Sequence, residues 1–308
     1  MAKRLARPDS VQDRFTGAVM DWTVDYLEGG WATAPIIPDD LLDEAVKNGQ
    51  LWDANTYIGL RCDQQLRQGD FAGAQATLER LAVMRDEYGY TFAGANYDGE
   101  RAVLLAEGRQ LVEALAAIDE YVPHRHEDPL RAFGLGTKGK IQSLLGDVEG
   151  AARSIADAVA IVTRSGVVPP WHRSAVAAAR LRHVAMRIEA GDAAARGEAK
   201  VAIADAKRVA RVVAIQRTEI HQLIGRIHHA LGRTKAAHEA WRASLAAGER
   251  MGTAPEVART YATIAERLGG GRLDGLDAAT YRARAQERFD ALALAWDLTR
   301  LRGLERAA

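Results

Sequence analysis

Between residues 218 and 231 the apolar side chains Ile220, Leu223, Ile224, Ile227 and Leu231 recur at helical spacing, while Glu219, Gln222, Arg226 and His229 fall on another side. Such a pattern predicts an amphipathic helix with one face in a core. Comparable segments fill most of the chain, and no stretch shows the strict alternation of a half-buried strand. All eight prolines stand near predicted boundaries, at Pro8, Pro35, Pro38, Pro123, Pro129, Pro169, Pro170 and Pro255. That placement spares helix interiors, where proline removes a donor and clashes with the preceding turn. VVPPW (167–171) and GGGRLDGLD (269–277) read as connections, and Thr253 with Pro255 and Glu256 reads as a capped helix start.

The helices also repeat. LRQGDFAGAQATLERL (66–81), LLGDVEGAARSIADAV (144–159) and ALGRTKAAHEAWRASL (230–245) share one grammar. A turn glycine (Gly69, Gly146, Gly232) is followed by a small residue (Ala74, Ala151, Ala237) and then a bulky one (Leu78, Ile155, Trp241) on the same helical face. Seven residues before each turn stands another small residue, Cys62, Gly139 or Gly225, which allows two helices of a hairpin to approach closely. Cys62 is accordingly expected to be a buried repeat position rather than a reactive thiol. Weaker copies carry turn glycines at Gly108, Gly191 and Gly269, so that successive turns lie 37 to 45 residues apart.

These hairpins resemble the tetratricopeptide repeat, although their spacing exceeds that family's period of about 34 residues. The resemblance covers roughly residues 50–300. It implies an all-α fold, a right-handed superhelical array of antiparallel helix pairs, with residues 1–50 as an N-terminal helical capping segment and 51–308 as the array with a C-terminal capping helix. The alanine-leucine-arginine texture is also similar to the helical C-terminal regions of bacterial signalling ATPases, cyclases and maltose-activator-type regulators. By the same resemblance, first-helix side chains line a concave groove. Asp63, Lys140, Ser143, Glu219, Gln222, Arg226 and His229 are then the partner-binding candidates, and substituting them is expected to leave stability nearly unchanged.

Composition narrows the class. Hydrophobic residues make up 48% and charged residues 27%, enough apolar material for a continuous core. A single cysteine excludes an intramolecular disulfide. No apolar run reaches the roughly 20 residues that span a bilayer, and the N-terminus lacks a signal-type apolar segment, so a cytoplasmic protein without membrane contact is expected. Net charge is zero but divided: 15 Lys+Arg face 25 Asp+Glu through Gly150, and 26 face 16 beyond it. This polarity suggests self-association through the acidic N-terminal and basic C-terminal halves.

Catalytic signatures are missing. The cluster PHRHEDP (123–129) has metal-ligand chemistry but the look of a polar inter-helix loop, and His221, His228 and His229 form no HExxH pattern. There is no GxxxxGK[ST] phosphate loop. Residues 180–242 carry thirteen Lys+Arg against six Asp+Glu, yet no base-reading module accompanies them, so nucleic acid is not the expected partner. The expectation is a non-enzymatic scaffold or adaptor in bacterial signalling, with no cofactor or metal, binding a protein or peptide in its groove. The alternatives are a sensor for a peptide or small effector and, behind it, an enzyme with a site across the groove. A further expectation is that the chain is either free-standing or part of a larger regulator.

Overall fold

The computed structural model describes residues 10–305, which form fifteen α-helices and no strand. Two N-terminal helices, α1 (Val11–Glu28) and α2 (Asp39–Lys47), precede six hairpins and a last helix. The hairpins pair α3 (Leu51–Gln68) with α4 (Phe71–Asp86), α5 (Thr91–Glu107) with α6 (Leu111–Tyr121), and α7 (Asp128–Leu145) with α8 (Val148–Ser165). They continue with α9 (Pro170–Glu189) and α10 (Ala193–Val212), α11 (Arg217–Ala230) and α12 (Thr234–Met251), and α13 (Ala254–Arg267) and α14 (Ala278–Ala291), before α15 (Ala295–Glu305). Each helix packs on its sequence neighbour, the arrangement of an α-solenoid.

The repeated grammar has a direct steric meaning. Ala74, Leu78, Ala151, Ala158, Ala237 and Trp241 are all buried, on the faces the spacing predicts. A Cβ on Gly225 would run into the indole of Trp241, and one on Gly139 would meet Ile155. Cys62, in the equivalent place, has its Sγ 3.5 Å from the Ala74 carbonyl oxygen across the first hairpin, and burial pushes its thiol far above the ordinary range.

Two hairpins share a polar clasp as well. Asp70 caps α4 through the Gly73 amide at 2.9 Å and also accepts from Gln65, whose own amide oxygen accepts from Thr77. Asp147, Gln142, Gly150 and Ser154 repeat these contacts between α7 and α8. Thr253 does stand just before α13, but its hydroxyl pairs with Thr218 at 3.0 Å rather than capping the helix.

The first helices of the six hairpins pack side by side, and the last of them, α13, returns to pack on α3. The array therefore closes into a ring. Other contacts seal the same seam: Gln68 donates to the Met251 carbonyl, and the left-handed Gly69 leaves room only for Leu292 and Pro255 beside it. At another point the Ala214 amide donates to the Leu27 carbonyl at 2.8 Å, and the Trp171 indole donates to the Tyr26 hydroxyl at 3.0 Å. Of the six tryptophans, Trp22, Trp31 and Trp241 are buried, Trp171 and Trp296 are half-buried, and Trp52 is exposed and stacked on Phe92. No helix among the described residues is long and apolar enough to cross a membrane.

Candidate functional site

The polar faces of the inner helices meet one another inside the ring. Glu107, at the end of α5, sits at the centre. Its carboxylate accepts from Lys140 of α7 at 2.8 Å, from Arg259 of α13 at 2.7 Å and from Arg67 of α3 at 3.4 Å. Lys140 also donates to Glu219 of α11 at 2.9 Å, and Arg182 of α9 donates to the same carboxylate at 2.6 Å. Thus every inner helix contributes at least one charge. With its amide turned to suit both neighbours, Gln216 accepts from Arg67 and donates to Glu219.

Burial makes these pairings compulsory, because an unpaired charge out of water costs far more than a paired one. Burial opposes ionisation of Glu107, but Lys140, Arg259 and Arg67 outweigh it and hold the carboxyl well below its ordinary range. For Glu219 the same contest is won by Lys140 and Arg182. Asp63 goes the other way: burial raises it, with Arg67 only partly offsetting the effect, and it accepts from the Tyr26 hydroxyl at 2.8 Å. Glu100 on α5 is raised well above the usual carboxyl range, by burial and then by Asp63, and its Oε2 has no hydrogen-bond partner.

This network corrects the expected solvent-exposed groove. Asp63, Lys140, Ser143, Glu219, Gln222 and Arg226 do lie on first helices, but all six are buried. They cannot be treated as stability-neutral surface. Arg226 makes a two-pronged pair with Glu189, at 3.0 and 2.6 Å, and Gln222 donates to Thr263 at 2.7 Å and to the Arg259 carbonyl. Ser143 has a buried hydroxyl without a partner. Only His229 is half-buried, lying 5.8 Å from the Trp241 ring and outside the ion network. The reason for the difference is ring closure: a polar helix face turned inward meets other polar faces before it meets solvent.

A cavity of about 60 Å³ lies against this network, lined by side chains of α9, α11, α13 and α15. Six guanidinium groups line it: Arg109, Arg182, Arg226, Arg259, Arg267 and Arg300. Only two acids join them, Asp297 and Glu266. Most of these guanidinium groups are held by carboxylates: Arg182 by Glu219, Arg226 by Glu189, and Arg267 by Glu189 and Glu266. Arg259 is fully engaged, reaching Glu107, Glu256 and both oxygens of Asp297. Arg109 and Arg300 flank Trp296, their guanidinium carbons 5.7 and 5.8 Å from its ring centroid.

Sequence reasoning missed Arg109, Arg182, Arg259 and Glu107. Arg109 follows the turn glycine Gly108, yet the left-handed conformation falls on Arg109 itself, at φ +62°, whereas Gly69, Gly146, Gly191 and Gly232 hold it at the other turns. A non-glycine residue pays about 1–2 kcal/mol for that conformation. Its side chain is delivered to the cavity wall. The sequence carried no distinguishing signal, because Arg233 also follows a turn glycine, Gly232, and is exposed there. No protein-family model matches this chain, and no curated protein matches it significantly.

Proposed function

We propose that this chain is a non-catalytic sensory binding module of a regulatory system, a right-handed tetratricopeptide-like array whose interior takes a small effector and whose outer surface meets a protein partner. One observation carries the reading. The inner-face residues that would hold a peptide in an open array are buried, most of them paired with other buried groups, and the arginine-lined cavity lies against them. This moves the balance from the open-groove scaffold toward the effector-sensing alternative. A thermal-shift screen of small metabolites, run beside affinity capture, tests it. A saturable shift by one small effector, with a change in captured partner, is the expected result; turnover of the effector overturns the non-catalytic reading, and partner capture with no small-molecule shift returns the scaffold reading.

The scaffold reading keeps one observation of its own. Trp52, 62% exposed near the start of α3, stacks on Phe92 near the start of α5 at a centroid distance of 5.3 Å. Exposed aromatic pairs of this kind suit a protein contact. Trp52→Ala is expected to weaken partner capture without altering the thermal midpoint.

A further inference from the structure

The arginine-lined cavity has the chemistry to specify a ligand. Its lining carries six guanidinium groups against two carboxylates, and much of the N–H capacity is unspent. Arg182 donates only Nη2, to Glu219, and its Nε has no partner. Arg109 donates only Nη1, to the Ala106 carbonyl; its Nε is 3.6 Å from Asp297, too far for a hydrogen bond, and is likewise unpartnered. The Oε1 of Gln222, another wall residue, is buried without a donor. The site therefore lacks acceptors chiefly and one donor secondarily.

We propose that this cavity binds a phosphate-type oxyanion, either free phosphate or the phosphoryl end of a small phosphomonoester. Guanidinium forks match the oxygen spacing of phosphate and bind it through paired N–H donors. Monohydrogen phosphate also carries one O–H, the complement of the unpartnered Gln222 Oε1. Size agrees: a water needs roughly 10–15 Å³ of such space, so about 60 Å³ takes a few waters or one tetrahedral oxyanion. Like-charge crowding is felt at Arg109. Burial, followed by Arg259, lowers Arg109; burial lowers Arg226 against Glu189, with smaller contributions from Arg267 and Arg182, whereas against burial the carboxylates raise Arg182 and Arg259. An incoming anion relieves that repulsion. The rim residues Arg300 and Glu266 are exposed, so the remainder of a monoester has a way out to solvent.

This inference rests on the sensory reading and names its effector chemistry. Isothermal titration of the full chain with inorganic phosphate, with phosphoserine, and with acetate at matched ionic strength tests it. One saturable site for phosphate, absent with acetate, is expected. Binding of phosphoserine at least tenfold tighter than phosphate identifies a monoester as the source, and equal or weaker binding identifies free phosphate.

Arg300 is exposed and has no ion pair among the described residues, so Arg300→Glu should fold normally and lose at least tenfold in phosphate affinity. Arg109→Gly, which suits the left-handed turn, should weaken binding as well. Absence of a saturable phosphate heat, or binding undiminished in both folded variants, overturns the site. A non-phosphate effector that shifts the protein while phosphate does not bind also overturns it, and leaves the sensory reading standing. Phosphate binding that does not alter partner capture upholds the site and removes the sensory reading instead.

Discussion

The Nη1 of Arg259 lies 2.7 Å from the Oε2 of Glu107, a residue 152 positions earlier in the chain. That single contact joins the sixth hairpin to the second across the interior. It also places Arg259 between three carboxylates, those of Glu107, Glu256 and Asp297. The ring is thus held by a charge that no neighbouring repeat supplies.

Arg259→Met should be strongly destabilising. It leaves the buried Glu256 without its cation and the buried Asp297 with only the more distant Arg109. Breaking a buried pair from one side costs about 3–5 kcal/mol. Arg80, whose pairs with Asp39 and Asp43 are at the surface, provides the contrast, and Arg80→Ala should cost no more than about 1 kcal/mol. Urea unfolding of both variants checks this. Equal midpoints would show that the interior network does not hold the ring.

Glu100 makes stability depend on pH above the acid range. Its folded-state pKa is raised, by burial and then by Asp63, so the folded chain prefers it protonated. Its contribution is fully present below its unfolded value of about 4.3 and is lost as pH rises through the higher folded value. Glu100→Gln keeps the shape of the neutral acid and cannot ionise. The variant should match the parent near pH 4 and melt progressively higher than the parent toward pH 8. Melting curves across that range that stay parallel would show Glu100 ionises without cost.

His172 acts at the opposite end. Burial against Trp171 and Phe133 lowers its pKa to about 4, and its Nδ1 has no partner. The unfolded chain takes up this proton near pH 6.5 while the folded chain resists until about 4. Stability is therefore lost as pH falls from 6.5 to 4, and no further below that through this group. His172→Phe should flatten that part of the stability profile, measured by urea midpoints at half-unit pH steps. An unchanged slope would assign the acid sensitivity to other histidines, of which His183 and His221 are lowered in the same direction by burial.

What was legible in the sequence was steric and local. Gly139, Gly225 and Cys62 announce close helix approach because a small side chain at a fixed offset from a turn glycine has few other uses. The polar face of α11 was legible as a face, but not as an interior one. Glu219 and Gln222 have the same spacing whether they meet water or a cation brought from another hairpin, and Lys140 reaches Glu219 across 79 residues. Nothing local encodes that closure. The Gln-Gly-Asp clasp recurs locally, Gln65, Gly69, Asp70 and Gly73 as Gln142, Gly146, Asp147 and Gly150, but the repeat grammar drew only on its turn glycines.

The hairpin of α11 and α12 offers the sharpest test of the steric grammar. Gly225 faces the indole of Trp241, which is fully buried, and a methyl group at Gly225 would occupy the space of its Nε1. Helix propensity favours alanine over glycine by roughly 1 kcal/mol, so an open position would be stabilised by the change. Overpacking a filled one costs about 1–3 kcal/mol and should reverse the sign. Gly225→Ala is thus expected to lower the urea midpoint. Trp241→Phe creates a void and should lower it too. Combined, the smaller ring and the added methyl share one space, so the double variant should lose less than the sum of the two single losses. Strict additivity would place the two side chains out of contact and remove the close-approach reading of the repeat.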